Sequence, residues 1–284
     1  MQQELEALIR LLEDPDEGIY RNISDRILSF GAPALSFLRE AELLCRSDLQ
    51  RRRLETLAGR LNHQSLKGKL RAWRESGDQD LLEGMLLLTE YRYPSAEHSE
   101  SIRRIETIRK DAWLEINDHL TALEKIRVLN HVFFELHGFH ENIHEALGPQ
   151  DVFINDTLLK KSGSPVSLGI LYSVIAHKLD IPVFGVNLPG HFVLAYLDGP
   201  YTHTISPENV LFYINTFNKG VVFTQDQIRE FLHKIQAEAH ADYFVPSPNH
   251  MILQRVLKNL MFILEHEKLH HRLPEVDELR RVLQ

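Results

Sequence analysis

The stretch Lys161-Ser162-Gly163-Ser164-Pro165-Val166-Ser167-Leu168, running on through Gly169-Ile170-Leu171-Tyr172 to Asp180-Ile181-Pro182, decides the fold. Ser164 and Pro165 read as the start of a helix: serine caps it, and proline suits the first helical position because no N–H is needed there. Leu168, Leu171, Tyr172, Ile175 and Leu179 recur at helical spacing and predict a buried helix that ends at Asp180. Just upstream, residues 158–161 close a helical turn. Gly163 is expected to end it, since glycine reaches left-handed geometry cheaply.

After Pro182 the period changes from helical to alternating. Residues 183–186 and 192–196 read as strands joined at Pro189-Gly190. Residues 210–214 and 221–223 read as two more around Asn218-Lys219-Gly220. Thr224 then caps a helix, and two helices follow Pro246 and Pro248, the first carrying Ile252, Val256, Leu257, Leu260 and Ile263. The centre is therefore predicted to be α+β, a helix feeding a small antiparallel sheet.

Upstream the pattern is helical. Ile102, Ile105 and Ile108 line one helix; Leu123, Ile126, Leu129, Val132 and Phe133 line the next. Before them, Leu5, Leu8, Ile9 and Leu12 form a stripe broken at Asp14-Pro15-Asp16. Ile19, Ile23, Ile27 and Leu28 form another, turned at Gly31 and Pro33. This reads as a HEAT-like helical hairpin, with a second unit expected from Leu49 through Trp73 and a helix after Asp80. The alternative is an irregular helical domain. The expected division is a HEAT-like region over 1–95, a central domain over 96–245 and a helical extension over 246–284.

The chain has 284 residues, 43% hydrophobic and 25% charged, the balance of an ordinary globular protein. It lacks the run of roughly 20 apolar residues that a membrane-spanning helix requires. Its acidic, amphipathic start reads as neither signal nor transit peptide. A net charge of −8 argues against nucleic acid as a partner. A single cysteine permits no intrachain disulfide and leads us to expect a cytoplasmic protein.

Several motifs together resemble the SirB-type (YchA-like) family of bacterial transglutaminase-like proteins. They are Gly138-Phe139-His140-Glu141-Asn142, Asn155, Gly163-Ser164-Pro165-Val166-Ser167-Leu168 and Pro189-Gly190-His191-Phe192. Leu82-Glu83-Gly84-Met85-Leu86-Leu87, Tyr93-Pro94 and Arg255-Val256-Leu257-Lys258-Asn259-Leu260 fit as well, so the likeness covers roughly 80–264. It implies a core similar to that of papain-like cysteine proteases. In active members of the superfamily a cysteine begins the helix, a histidine sits on the next strand and an acid follows on another. The helix start favours a thiolate, the histidine takes the proton, and the third residue orients the histidine.

Carried onto this chain, those positions fall on Pro165, His191 and Asn215. Asparagine stands where the family usually has aspartate, although an amide can orient a histidine. Proline cannot be a nucleophile, and Cys45 lies far upstream. Ser167 is the candidate substitute, but it sits about 200° around the helix from Pro165. Ser164 is more simply the cap. Each residue also has a plain structural reading: Ser167 bonding locally, His191 held by a backbone carbonyl, Asn215 organising a turn.

His140-Glu141-Asn142-Ile143-His144 matches the HExxH zinc signature, in which two histidines one helical turn apart share a metal and glutamate acts as base. Gly138 and Gly148-Pro149 leave only a short helix for it. The tail residues His266, His270 and His271 read as an exposed face. The leading expectation is therefore a non-catalytic protein- or peptide-binding module that needs no cofactor. The alternatives are a serine hydrolase or acyltransferase using Ser167, His191 and Asn215, and a zinc hydrolase at His140 and His144.

Overall fold

A computed structural model describes residues 2–77, 79–94, 96–142, 147–199 and 205–284. Helix α1 (Gln2–Leu11) ends before Pro15, and Asp16 caps α2 (Glu17–Ser29) by accepting from the amides of Gly18 and Ile19. Gly31, at φ +67°, turns the chain into α3 (Ala34–Leu44). The second helical unit expected from Leu49 through Trp73 is one continuous 28-residue helix, α4 (Asp48–Glu75). Its first half packs Leu54, Leu57 and Leu61 against Leu5, Ile9, Ile27 and Leu38. Two buried polar side chains of α4 satisfy the open end of α1: Gln50 donates to the Ile9 carbonyl at 2.9 Å, and Arg53 donates to the Leu12 carbonyl at 3.1 Å.

Asp80 caps α5 (Leu81–Arg92), which is followed by α6 (Ser99–Trp113). A Thr121/Glu124 capping box opens α7 (Ala122–Asn130), and the helix widens into a π-type turn over His131–Leu136. His140 and Glu141 then form a short strand, β1 (His140–Glu141). It pairs in parallel with β2 (Ser162–Gly163) beyond α8 (Ile154–Lys160). The left-handed residue that ends α8 is Lys161, at φ 57°, and not Gly163 as the sequence suggested. Gly163 serves close packing instead, because a Cβ there would lie 2.8 Å from Thr157 Oγ1.

The deciding stretch forms α9 (Pro165–His177), with every residue from Val166 through Ala176 buried. It touches α5, α6 and α8 and lies on a four-stranded antiparallel sheet. That sheet is β3 (Val183–Leu188), β4 (His191–Leu197), β5 (Val210–Asn215) and β6 (Val221–Phe223), in that order. Alternation along the strands divides its residues between two apolar clusters. Phe192, Leu194, Tyr196, Phe212 and Ile214 join the cluster around α9. Val186, Leu188, Val193, Ala195 and Tyr213 join Ile228 and Leu232 of α10 (Gln225–Lys234).

The chain closes with α11 (Asn249–His266) and α12 (Leu273–Val282). Apolar residues of both, and of α5, share the cluster around α9. The fold is thus α+β. No helix among the described residues is long and apolar enough to cross a membrane.

Candidate functional site

The head of α9 is tightly built. Ser164 Oγ accepts from the Ser167 amide at 3.1 Å, while Pro165 occupies the first helical position. A capping serine of this kind is worth about 1 kcal/mol. The turn Pro149–Val152 buttresses it from below: the Asp151 carbonyl accepts the Ser164 amide at 3.2 Å and the Ser167 hydroxyl at 2.8 Å. Asp151 is itself buried, and its carboxylate accepts the Gly148 amide at 2.8 Å.

Ser167 is therefore enclosed, at 1% exposure, with its proton directed to a backbone carbonyl and its oxygen 2.7 Å from Ser164 Oγ. Neither hydroxyl meets an imidazole. His191 is exposed, and its ring stands edge-on to Phe231 of α10 with centroids 4.7 Å apart. No hydrogen bond to a backbone carbonyl holds it among the described residues, unlike the plain reading of the sequence. Asn215 Oδ1 accepts the Phe217 amide at 3.1 Å, so this amide organises the turn after β5. Among the described residues no hydrogen bond joins His191 to Asn215, and His191 does not line the cleft that Pro165 borders.

Phe192, the residue after His191, lines the same cleft as Pro165. Its ring lies between two glycines: a Cβ on Gly169 of α9 or on Gly185 of β3 would come within 2.7 Å of it. Helix and sheet approach this closely only because both positions lack side chains. Next to Phe192 a cleft of about 210 Å³ opens at the head of α9. Ser164, Pro165, Val166, Gly190 and Phe192 form one side of it, and Arg255, Asn259 and Phe262 of α11 the other; His191 is not part of its lining.

Arg255 was missed as a site residue. It falls between Ile252 and Val256 on an apolar helix, a pattern with no chemical signal beyond a charge in that stripe. One of its terminal nitrogens donates to the Leu188 carbonyl at 3.0 Å. Burial pulls its guanidinium below the ordinary arginine value.

At the zinc-like motif, His140 and Glu141 are extended strand, so the helical spacing that HExxH requires is absent there. The His140 ring sits 3.0 Å from the Gly138 carbonyl, and His144 lies outside the described residues. A larger, shallower cleft of about 570 Å³ lies between Tyr93-Pro94 and Asn155-Asp156. There Tyr93 donates to the Asp156 carboxylate at 3.0 Å, and burial raises that carboxyl above its ordinary value.

The model of the transglutaminase-like superfamily matches residues 99–258, more than half of the chain, including α9 and the four-stranded sheet. The protein belongs to that superfamily. Its relatives include a UPF0162 protein of Xylella fastidiosa, 23% identical over 186 residues covering 63% of each chain. Another is the UPF0162 protein PA3419 of Pseudomonas aeruginosa, 27% identical over 183 residues and again 63% of each. These bacterial relatives agree with the SirB-type resemblance seen in the motifs. The chain thus spans about 63% of the length of these curated relatives. Human F-box only protein 21 is 27% identical over 139 residues, 49% of this chain and 22% of that protein. No solved structure matches.

Proposed function

We propose that this is a non-catalytic transglutaminase-like protein whose cleft at the head of α9 holds a polypeptide. The observation that carries the reading is the chemistry of that helix start. Its first residue is Pro165, both nearby hydroxyls are spent on capping and burial, and the one histidine of the expected set packs on α10. A thioester or ester intermediate needs a nucleophile within reach of a base, and a burial such as that of Ser167 opposes attack on a bulky substrate. The scaffold and its concavity remain, which suits binding without turnover. That the matched segment makes up only 22% of the much longer F-box only protein 21 supports a module reused in different settings.

As a working division we propose a HEAT-like helical region over 1–95, a papain-like core over 96–245 and a helical extension over 246–284. The cluster shared by α5, α9 and the last two helices would bind these parts together. The concave side of α1 and α3, which encloses about 400 Å³, is a second surface for a partner. A cytoplasmic setting fits the single thiol of Cys45. A broad serine-directed fluorophosphonate tests the central claim: intact mass is expected to be unchanged after incubation with folded protein. Adduct formation at Ser164 or Ser167, abolished by Ser167→Ala, would replace this reading with a serine hydrolase or acyltransferase.

A further inference from the structure

Among the described residues, the cleft at the head of α9 contains a cation without a counter-ion. Arg255 has no carboxylate partner among the described residues; its one bond is to the Leu188 carbonyl at the β3–β4 hairpin. A half-buried guanidinium loses solvation and normally recovers it from an acid. Here the remaining N–H donors of a five-donor fork are left to whatever enters the cleft. Asn259, one turn further along α11, adds an amide to the same wall. Across from it, α9 begins with a residue that has no N–H, and the Ser167 amide is capped by Ser164. The amide of Val166 is therefore the first unbonded donor of a 13-residue helix whose positive end faces the same space.

The rest of the lining is apolar: Leu147, Pro165, Phe192, Phe262 and Ile263, with Phe262 exposed to 69%. Cofactor and drug-sized ligands occupy roughly 300–1,000 Å³. At about 210 Å³ this cleft suits one side chain and one small anionic group. One guanidinium fork matches a carboxylate or a phosphate; the apolar wall favours an anion that carries an apolar side chain, as a chain-terminal carboxylate does. We infer that the cleft captures the free C-terminal carboxylate of a polypeptide ending in an apolar residue, with Arg255 and Asn259 on the carboxylate and Phe192 and Phe262 around the last side chain. This rests on the peptide-binding reading above and narrows it from an extended segment to a chain end.

Two pools of fluorescein-labelled hexapeptides ending in Leu or Phe test it, one with free C-termini and one carboxamidated. They are titrated into full-length protein, and binding is located by amide chemical shifts. Free acids are expected to bind about ten-fold more tightly than amides or better, with shifts at Val166, Arg255, Asn259 and Phe262. Arg255→Gln keeps a polar side chain without the charge and is expected to erase the preference. Phe262→Ala, at an exposed position that folding does not need, is expected to weaken both pools. Equal binding of acids and amides at these residues would overturn the carboxylate inference and leave the peptide-binding reading standing. Displacement of the acids by inorganic phosphate at equal concentration would overturn it in favour of a general anion site. Shifts at these residues with neither pool would sink both.

Discussion

The two faces of the β3–β6 sheet differ by one residue of register and by everything that follows from it. The inner face sets Phe192, Leu194 and Tyr196 against the buried helix; the outer face sets Val193 and Ala195 against α10. His191 makes its ring contact on the outer side, with Phe231. In a strand the side chain changes face at every step, so a motif such as Gly190-His191-Phe192 places either its histidine or its phenylalanine beside α9, never both. Here it is the phenylalanine. The alternation leaves Phe192, and not His191, on the side of α9.

Breaking the inner face is expected to have the largest effect. Phe192→Ala removes a buried ring packed against Gly169 and Gly185, and buried Phe→Ala changes cost about 3–5 kcal/mol. Its counterpart on the outer face, Phe231→Ala, removes a half-buried ring and is expected to cost less than half as much. Urea unfolding of the two variants compares them directly. Equal losses would mean that the two faces are equally tight and that the glycine pair around Phe192 has no special role.

Next comes the link between the far edge of the sheet and α9. Asn130 accepts the Tyr172 hydroxyl at 2.8 Å and donates to the Gly220 carbonyl at 3.0 Å. Asn130→Ala leaves a fully buried tyrosine hydroxyl without a partner, which is expected to cost about 2 kcal/mol by the same measurement. Ser167→Ala sharpens the comparison at the helix head. It removes the hydroxyl bond to the Asp151 carbonyl, which keeps the Ser164 amide, and is expected to cost about 1 kcal/mol while leaving probe labelling and peptide binding unchanged. A variant as stable as the parent but altered in binding would show that Ser167 contacts the ligand.

Much of this was legible in the sequence, because local chemistry and local structure agree. Ser164 and Pro165 mark the head of α9, Asp16 and Thr121 cap their helices, and Gly190 and Gly220 take positive φ at the hairpins. Even the face taken by His191 was readable, since Phe192, Leu194 and Tyr196 alternate and a histidine one step earlier belongs opposite. What was not legible depends on distant partners. Gly163 resembled a helix stop until Thr157 was seen against it. β1 and β2 are two residues each and are defined only by pairing across α8. Arg255 became a site residue only because α11 crosses the end of β3.

A pH effect separates the inner face from the outer one more gently. His177, at the end of α9, packs on Phe184, and burial lowers its pKa despite the opposing pull of the Val183 backbone and the charge of Asp80. The unfolded chain takes up this proton near pH 6.5 and the folded chain only below that. Stability is therefore fully present above pH 6.5 and falls as the pH drops through and below that value. His177→Asn is expected to flatten that acid-side slope in urea midpoints measured between pH 7.5 and 5.0. An unchanged slope would place the proton uptake elsewhere.

The smallest expected effect concerns the residue that the family likeness makes most important. His191→Ala removes an exposed ring and one edge-on aromatic contact, worth about 0.5–1.5 kcal/mol at most. Because that contact is to α10 and His191 does not line the α9 cleft, peptide affinity there is expected to stay within two-fold of the parent. A loss of affinity well beyond two-fold in the variant would mean that the imidazole swings to the inner side of the hairpin when ligand is present. Phe192 would then have to leave its place between the two glycines, and the division between the faces drawn above would describe only the empty protein.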